Sequence, residues 1–225
     1  MTDIPDSWPP QPDGELTPSR SVHAPLFPLP GVFLFPRQLM ALHIFEPRYI
    51  QMIEDILDGP GRVILATIPE NQAEQAMDTD NPPEVLPVAG MGEIARHEKL
   101  PEGRYAVWIF GLGRVLIEEV SSTRLYRAAA CTPMREVPPT PAEAKSLEQP
   151  LRDAVSERHP EILNLPDDLP MGLLVDLLCQ RLPSNQATME SIFTEPNLLT
   201  RAQLALAAHD ITPPMDDSPP EDLEN

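Results

Sequence analysis

Proline holds φ near −65° and has no N–H, and the chain places it 30 times among 225 residues, so where it falls limits which segments can be regular. The first stretch, MTDIPDSWPPQPDGELTPSR, holds five prolines and four acids, and the last, PPMDDSPPEDLEN, holds four prolines and five acids with no base. Neither buries enough apolar surface to offset the entropy of ordering, so residues 1–23 and 212–225 are expected to be disordered tails. Trp8, the aromatic of the first tail, reads either as a docking side chain or as an idle one.

Between the tails the prolines punctuate short apolar runs: APLFPL, GVFLF and QLMALHI. These are expected to be strands, with Pro28, Pro30 and Pro36 confined to edges, bends or strand ends. A helix follows, because Tyr49, Ile53 and Ile56 recur at i, i+4 and i+7, with Ile50 and Leu57 widening the same face, until DGPG stops it. Pro47 stands where a helix accepts proline, in the first turn with its orphan N–H groups, and Glu46 brings a negative charge to the positive end of the dipole. The same pair recurs at Glu195-Pro196 ahead of NLLTRAQLALAAHD, which favours architecture over catalysis for the HIFEPRY cluster. Arg48 is expected to pair with a carboxylate or a loop carbonyl.

RVILATI reads as a strand and PENQAEQAMDTDNPPEVLP as a polar, acidic loop. VAGMGEIARHEKL and RYAVWIFGLGRVLIEEV enclose PEGR, a hairpin signal, and Gly111 and Gly113 are expected to mark a reversal or bulge at Leu112 through the backbone freedom of glycine. LYRAAACTPM closes a β-rich region of six to eight strands with one inserted helix, residues 24–136. Residues 137–211 read as helical: a polar helix around Ala142–Arg158 after a proline-broken lead, then a nearly all-apolar one through Met171, Leu174, Val175 and Leu178. A third, capped by Ser184, carries Met189 and Ile192, and a last one follows Glu195-Pro196.

The formal charge is −19, with Lys99 and Lys145 the chain's lysines, and no arginine cluster offsets it. Such a field repels a phosphate backbone, which argues against nucleic acid and anionic membranes as partners. Cys131 and Cys179 are far apart and are expected to be buried thiols in a reducing cytoplasm. No apolar run reaches the ~18 residues of a membrane span.

The run APLFPLPGVFLFPRQLMALHIFEPRYIQMIEDIL resembles the opening of the Lon N-terminal domain, the substrate-binding domain of the ATP-dependent Lon protease. The family pattern is a PLFPL start, a VLFPG-like turn and LPLHIFEPRY before a helix, and Arg37 stands where glycine is usual, so the turn is expected to differ. Further on, AGMGEIARHEKLPEGRYAVWIFGLGRVLI, LYRAA, LVDLLCQRL, NQATMES and LLTRAQLAL are similar to later family segments, over about residues 24–208. The resemblance implies an α+β fold, a β-rich PUA-like pseudo-barrel followed by a helical subdomain, in a stand-alone Lon-type protein. It places Pro28, Glu46, Pro47, Arg48, Tyr49, Gly111, Arg114 and Arg201 on family motif positions read as structural.

The sequence holds no G-x-x-x-x-G-K-[ST] loop, and Lys99 and Lys145 lie in polar surroundings unsuited to a Ser-Lys dyad, so neither ATPase nor protease activity is expected. His23, His43, His97, His159 and His209 are too widely spaced for a metal set, and no metal or cofactor is expected. The reading is a non-catalytic binding module for unfolded polypeptide segments or a partner protein, linked to proteolysis or quality control, with Phe33, Phe35 and Met40 as candidate peptide contacts. The alternatives are a small-molecule or RNA-modifying enzyme on a PUA-like barrel and a purely structural interaction subunit.

Overall fold

Three prolines in nine residues argue against a central strand, yet Val22–Pro30 (β1) lies between two neighbours. It pairs antiparallel with Arg127–Pro133 (β6) and parallel with Arg62–Ile68 (β3). The register reconciles the two: Val22–Leu26 face β6 and Leu26–Pro30 face β3, so each half of β1 is an edge in its own right, the setting in which a strand accepts proline. The computed structural model describes residues 22–76, 78 and 81–212; Trp8 and the segments 1–21 and 213–225 lie outside the described residues. Val22 and His23, expected in the tail, open β1 opposite Cys131 and Ala130.

Leu39–Ile44 (β2), Val88–Lys99 (β4) and Tyr105–Val120 (β5) complete a six-stranded sheet in the order β2-β5-β4-β3-β1-β6. A second pairing, β5 with β6, closes β1, β3, β4, β5 and β6 into a ring and leaves β2 attached outside it. The helix Pro47–Leu57 (α1) is inserted between β2 and β3. It buries Tyr49, Met52, Ile53 and Ile56 in a cluster with Phe27, Val63, Leu65, Val107 and Ile109. A buried Met or Ile is worth about 1.5–3 kcal/mol, so this face fastens α1 to the sheet. On the other side of the same strands Leu26, Ile64, Ala66, Ala89 and Ala129 form a second cluster.

The segment between β1 and β2 crosses the sheet where the glycines are. A Cβ on Gly90 would lie 2.5 Å from Leu34 O and 2.6 Å from Leu34 Cβ; one on Gly111 would lie 3.0 Å from the Phe35 carbonyl carbon and closer still to its oxygen. This corrects the reason expected for Gly111, which has no positive φ and serves close approach of two backbones. The bulge itself is present: the register of β4 on β5 skips Leu112, and β5 runs on without reversing. Arg37 adopts φ 62°, so this turn keeps a left-handed residue even where the family has glycine. For a residue with a Cβ that conformation costs about 1–2 kcal/mol.

Tyr49 is 5% exposed, and burial pushes its phenol up to about 12, with Arg48 pulling the other way. Below pH 10 the phenol is protonated in both folded and unfolded chains; between pH 10 and about 12 only the unfolded chain ionises, so stability is lost across that window. A loss of about 2–3 kcal/mol is expected from this group. Urea titrations at pH 9 and pH 11 should show about half of that loss, and Tyr49→Phe should remove it.

The contacts divide the chain between Met134 and Arg135 into two compact units. In the second, the helix Pro141–Arg158 (α2) starts from a capping box in which Glu143 N donates to Thr140 Oγ1 and Thr140 N donates to Glu143. The Thr140 hydroxyl, donating to the Glu143 carboxylate at 2.6 Å, and then the Thr140 N–H hold that carboxyl below its usual range. α2 runs on through Pro150. Met171–Gln180 (α3) buries Leu174, Val175, Leu178 and Cys179. Gln186–Thr194 (α4) is capped by Asn185, not Ser184, and Leu198–Asp210 (α5) by Asn197, each Asn accepting from the N–H three residues on. The Glu-Pro start is therefore used once: Pro47 lies inside α1, whereas Pro196 precedes the cap of α5. The deepest polar group is Arg201, 0% exposed, paired with Asp176 at 2.6 Å and with Glu136.

Candidate functional site

Strand alternation sends Met40, Leu42 and Ile44 of β2 to the core cluster and leaves Leu39, Ala41 and His43 on the opposite face. The register sets Leu39 opposite Phe110, Ala41 opposite Trp108 and His43 opposite Ala106 of β5. Leu39 is 58% exposed, Phe45 just beyond the strand is 56% exposed, and Trp108 and Phe110 are half-buried. The His43 and Phe45 rings lie 6.0 Å apart. On β4, Arg96 stands opposite Trp108 and carries its guanidinium carbon 4.7 Å from the centre of the ring. Farther in, the face turns charged, where Glu93 and Arg62 pair at 3.5 Å.

This face adjoins a vacant edge, because among the described residues β2 pairs with β5 alone. An open edge offers backbone donors and acceptors to an incoming strand, and exposed aromatic and aliphatic side chains beside it supply contact area. Exposed large apolar residues gathered on one surface mark interaction sites more often than scattered ones do.

The HIFEPRY cluster is tied into the barrel unit by its own contacts. Glu46 is the N-cap of α1 without a side-chain cap bond; its carboxylate instead accepts from Arg48 Nε at 2.9 Å. Arg48 also donates to Ala76 O at 3.2 Å and lies 4.5 Å from the Tyr49 ring centre, which ties the start of α1 to the loop after β3. Phe33 and Phe35 are 9% and 2% exposed, and Met40 packs on the core from the inner face of β2. All three side chains lie toward the packed interior, and the chain at Leu34 and Phe35 lies against Gly90, Gly92 and Gly111. Pro28 pairs with Ala66 inside β1, Arg114 is 6% exposed on β5, and Arg201 belongs to the buried triad.

No motif points to Leu39, Phe45, Trp108 or Phe110. One signal was present: in YAVWIF both alternate sets are apolar, although only one set, Tyr105, Val107 and Ile109, enters the core. Both thiols are buried. Cys131 donates to Val22 O, and burial pushes it up, while Cys179 is buried on α3. His159 is spent on Leu177 O at 2.8 Å and Glu161 at 3.2 Å. Among the described residues no three His, Cys, Asp or Glu side chains group as a metal site.

A ring of strands closed by β5, an extra edge strand with an exposed apolar face, and a separate helical unit define an α+β protein with a β-rich pseudo-barrel. The chain belongs to the ATP-dependent protease La (LON) substrate-binding domain family, whose model matches residues 23–208. It is 26% identical over 212 residues to Lon protease 2 of Sorangium cellulosum and 26% identical over 196 residues to Lon protease of Brevibacillus choshinensis. Those matches cover 88% and 81% of this chain but 25% and 24% of the relatives, so the chain spans about a quarter of their length. The N-terminal domain of Mycobacterium avium complex Lon protease superposes with a TM-score of 0.65 at 13% identity, covering 85% of this chain and 100% of that one. A Lon N-terminal domain protein from Xanthomonas campestris gives 0.56 at 17% identity, covering 83% and 98%. At these identities the structural likeness speaks for the fold alone. No helix among the described residues is long and apolar enough to cross a membrane.

Proposed function

We propose that the chain is a non-catalytic binding module that holds extended polypeptide segments, from an unfolded protein or a partner, on the outer face of β2 and β5, and that it serves proteolysis or protein quality control in the cytoplasm. The observation that carries this is the exposed set Leu39 and Phe45 with half-buried Trp108 and Phe110 beside an unpaired strand edge. The family's description as a substrate-binding domain and the Lon protease names of the relatives support the link to proteolysis. The side chains on the face suit contact, not bond making: aromatic, aliphatic and one histidine whose ring lies tilted beside Phe45. Binding at such a surface concentrates in a few central apolar residues.

The test is Leu39→Asp with Phe45→Asp. Both side chains are exposed, so the melting curve should shift by less than ~0.5 kcal/mol. Affinity for a reduced, carboxymethylated protein, read by fluorescence anisotropy, should fall about tenfold or more. Unchanged affinity in a folded double variant would remove this face from the proposal.

A further inference from the structure

In a chain with 35 acids and 16 bases, an exposed arginine lacking a carboxylate needs a reason. Within the barrel unit Arg48, Arg62, Arg104, Arg124 and Arg127 each form an ion pair with a Glu or Asp. Arg37 and Arg96 are exposed and form none among the described residues, and both border the apolar face. Arg96 covers Trp108 from β4. Arg37 donates its N–H to Gly111 O at 2.7 Å, one residue beyond Phe110, from a left-handed conformation that disfavours any residue with a Cβ. Backbone strain held at an exposed charged residue is the pattern of a site that uses the side chain.

The charge is uneven along the face. Glu93, opposite Phe110, is taken up by Arg62. Glu98 lies opposite Ala106, at the end of the face where His43 stands. The Leu39–Phe110–Trp108 end is therefore cationic and the His43–Ala106 end is not.

Building on the polypeptide-binding reading above, we infer that this face selects an apolar segment with acidic residues at one end, and that Arg37 and Arg96 read the acids. Guanidinium groups take carboxylates through two parallel N–H donors, contacts about twice as strong as neutral ones. The net charge of −19 opposes any acidic partner at long range, but at about 0.15 M salt the Debye length is about 8 Å, so distant acids are screened while direct contacts persist.

The experiment uses the full chain and labelled peptides of about 12 residues with a Leu/Val/Phe core, read by anisotropy at about 0.15 M salt. Three acidic residues are placed before or after the core, and matched peptides carry serine or lysine there. One of the two acidic orders should bind about tenfold more tightly than the serine peptide, and the lysine peptides more weakly than it. In Arg37→Gln/Arg96→Gln the acidic advantage, taken as the ratio of acidic-peptide to serine-peptide affinity within the variant, should shrink to about twofold or less, with the melting curve nearly unchanged. Serine-peptide binding without an acidic advantage, or an advantage that survives the double variant, overturns the selection and leaves the polypeptide reading standing; no binding by any peptide overturns both. Concentration-dependent dimerisation abolished by the same variant would give the face to a second copy, and acidic-peptide binding seen only after removal of residues 1–19 or 213–225 would give it to the chain's own acids. Either result would likewise overturn the inference.

Discussion

Gly111→Ala is expected to destabilise the barrel unit by about 3 kcal/mol, at or beyond the upper end of the usual cost of overpacking. The added methyl would meet the backbone carbonyl of Phe35, and neither side can yield easily. Gly111 N donates to Gln38 O and Gly111 O accepts from Arg37 N, so β5 is fastened to the crossing segment on both sides of the clash. A flexible side chain could rotate away; a carbonyl held in this way cannot. Gly113 is the control, because a Cβ there meets nothing within 4 Å and its φ is not positive. Gly113→Ala should be neutral or slightly stabilising, since glycine in a strand is itself unfavourable. Equal costs at the two positions in urea denaturation would contradict the close-approach account.

Arg201→Ala should be the most damaging single change in the helical unit, at about 3–5 kcal/mol. Arg201 is 0% exposed and joins α5 to Asp176 of α3 at 2.6 Å, to Gly172 O at 3.2 Å and to Glu136. Its removal leaves Asp176, 8% exposed at the side chain, buried without its cation, whereas Glu136 at 38% can return to water. The Nε of Arg201 has no hydrogen-bond partner among the described residues, so the triad already carries a desolvation cost. Replacing the pair together, Arg201→Met with Asp176→Leu, should therefore lie within about 1 kcal/mol of the parent. The far-ultraviolet helix signal followed through denaturation separates the cases. A mild single variant, or a double variant as unstable as Arg201→Ala, would contradict this view of the triad.

What the residues disclose unaided is local. The i, i+4, i+7 spacing of Tyr49, Ile53 and Ile56 locates α1 because a helix face repeats within the helix itself, and Gly103 locates the β4–β5 hairpin for the same reason. The family resemblance in HIFEPRY reached the fold as a whole. Properties set by distant chain were not legible. β1 accepts its prolines because β6 and β3 take different halves of it, a matter of register 38 to 109 residues away. Gly111 needs its missing Cβ because of Phe35, and Phe35 is buried for the same reason. The cap of α4 fell at Asn185, one residue past the expected Ser184, because adjacent polar residues compete for one role, and α5 starts after Asn197, past the Glu195-Pro196 pair expected to open it. The candidate site was missed where apolar side chains on both faces of YAVWIF look like a wholly buried strand, and only the half-burial of Trp108 and Phe110 among the described residues distinguishes them.

Amide hydrogen exchange with and without a saturating unfolded protein tests the central claim most directly, since it reports where the chain is covered without altering any residue. Binding on the outer face and open edge should slow exchange in 39–45 and 106–110, and leave α2 to α5 as they were. Slowed exchange confined to the helical unit, or none at a concentration where anisotropy shows binding, would contradict a polypeptide site on β2 and β5.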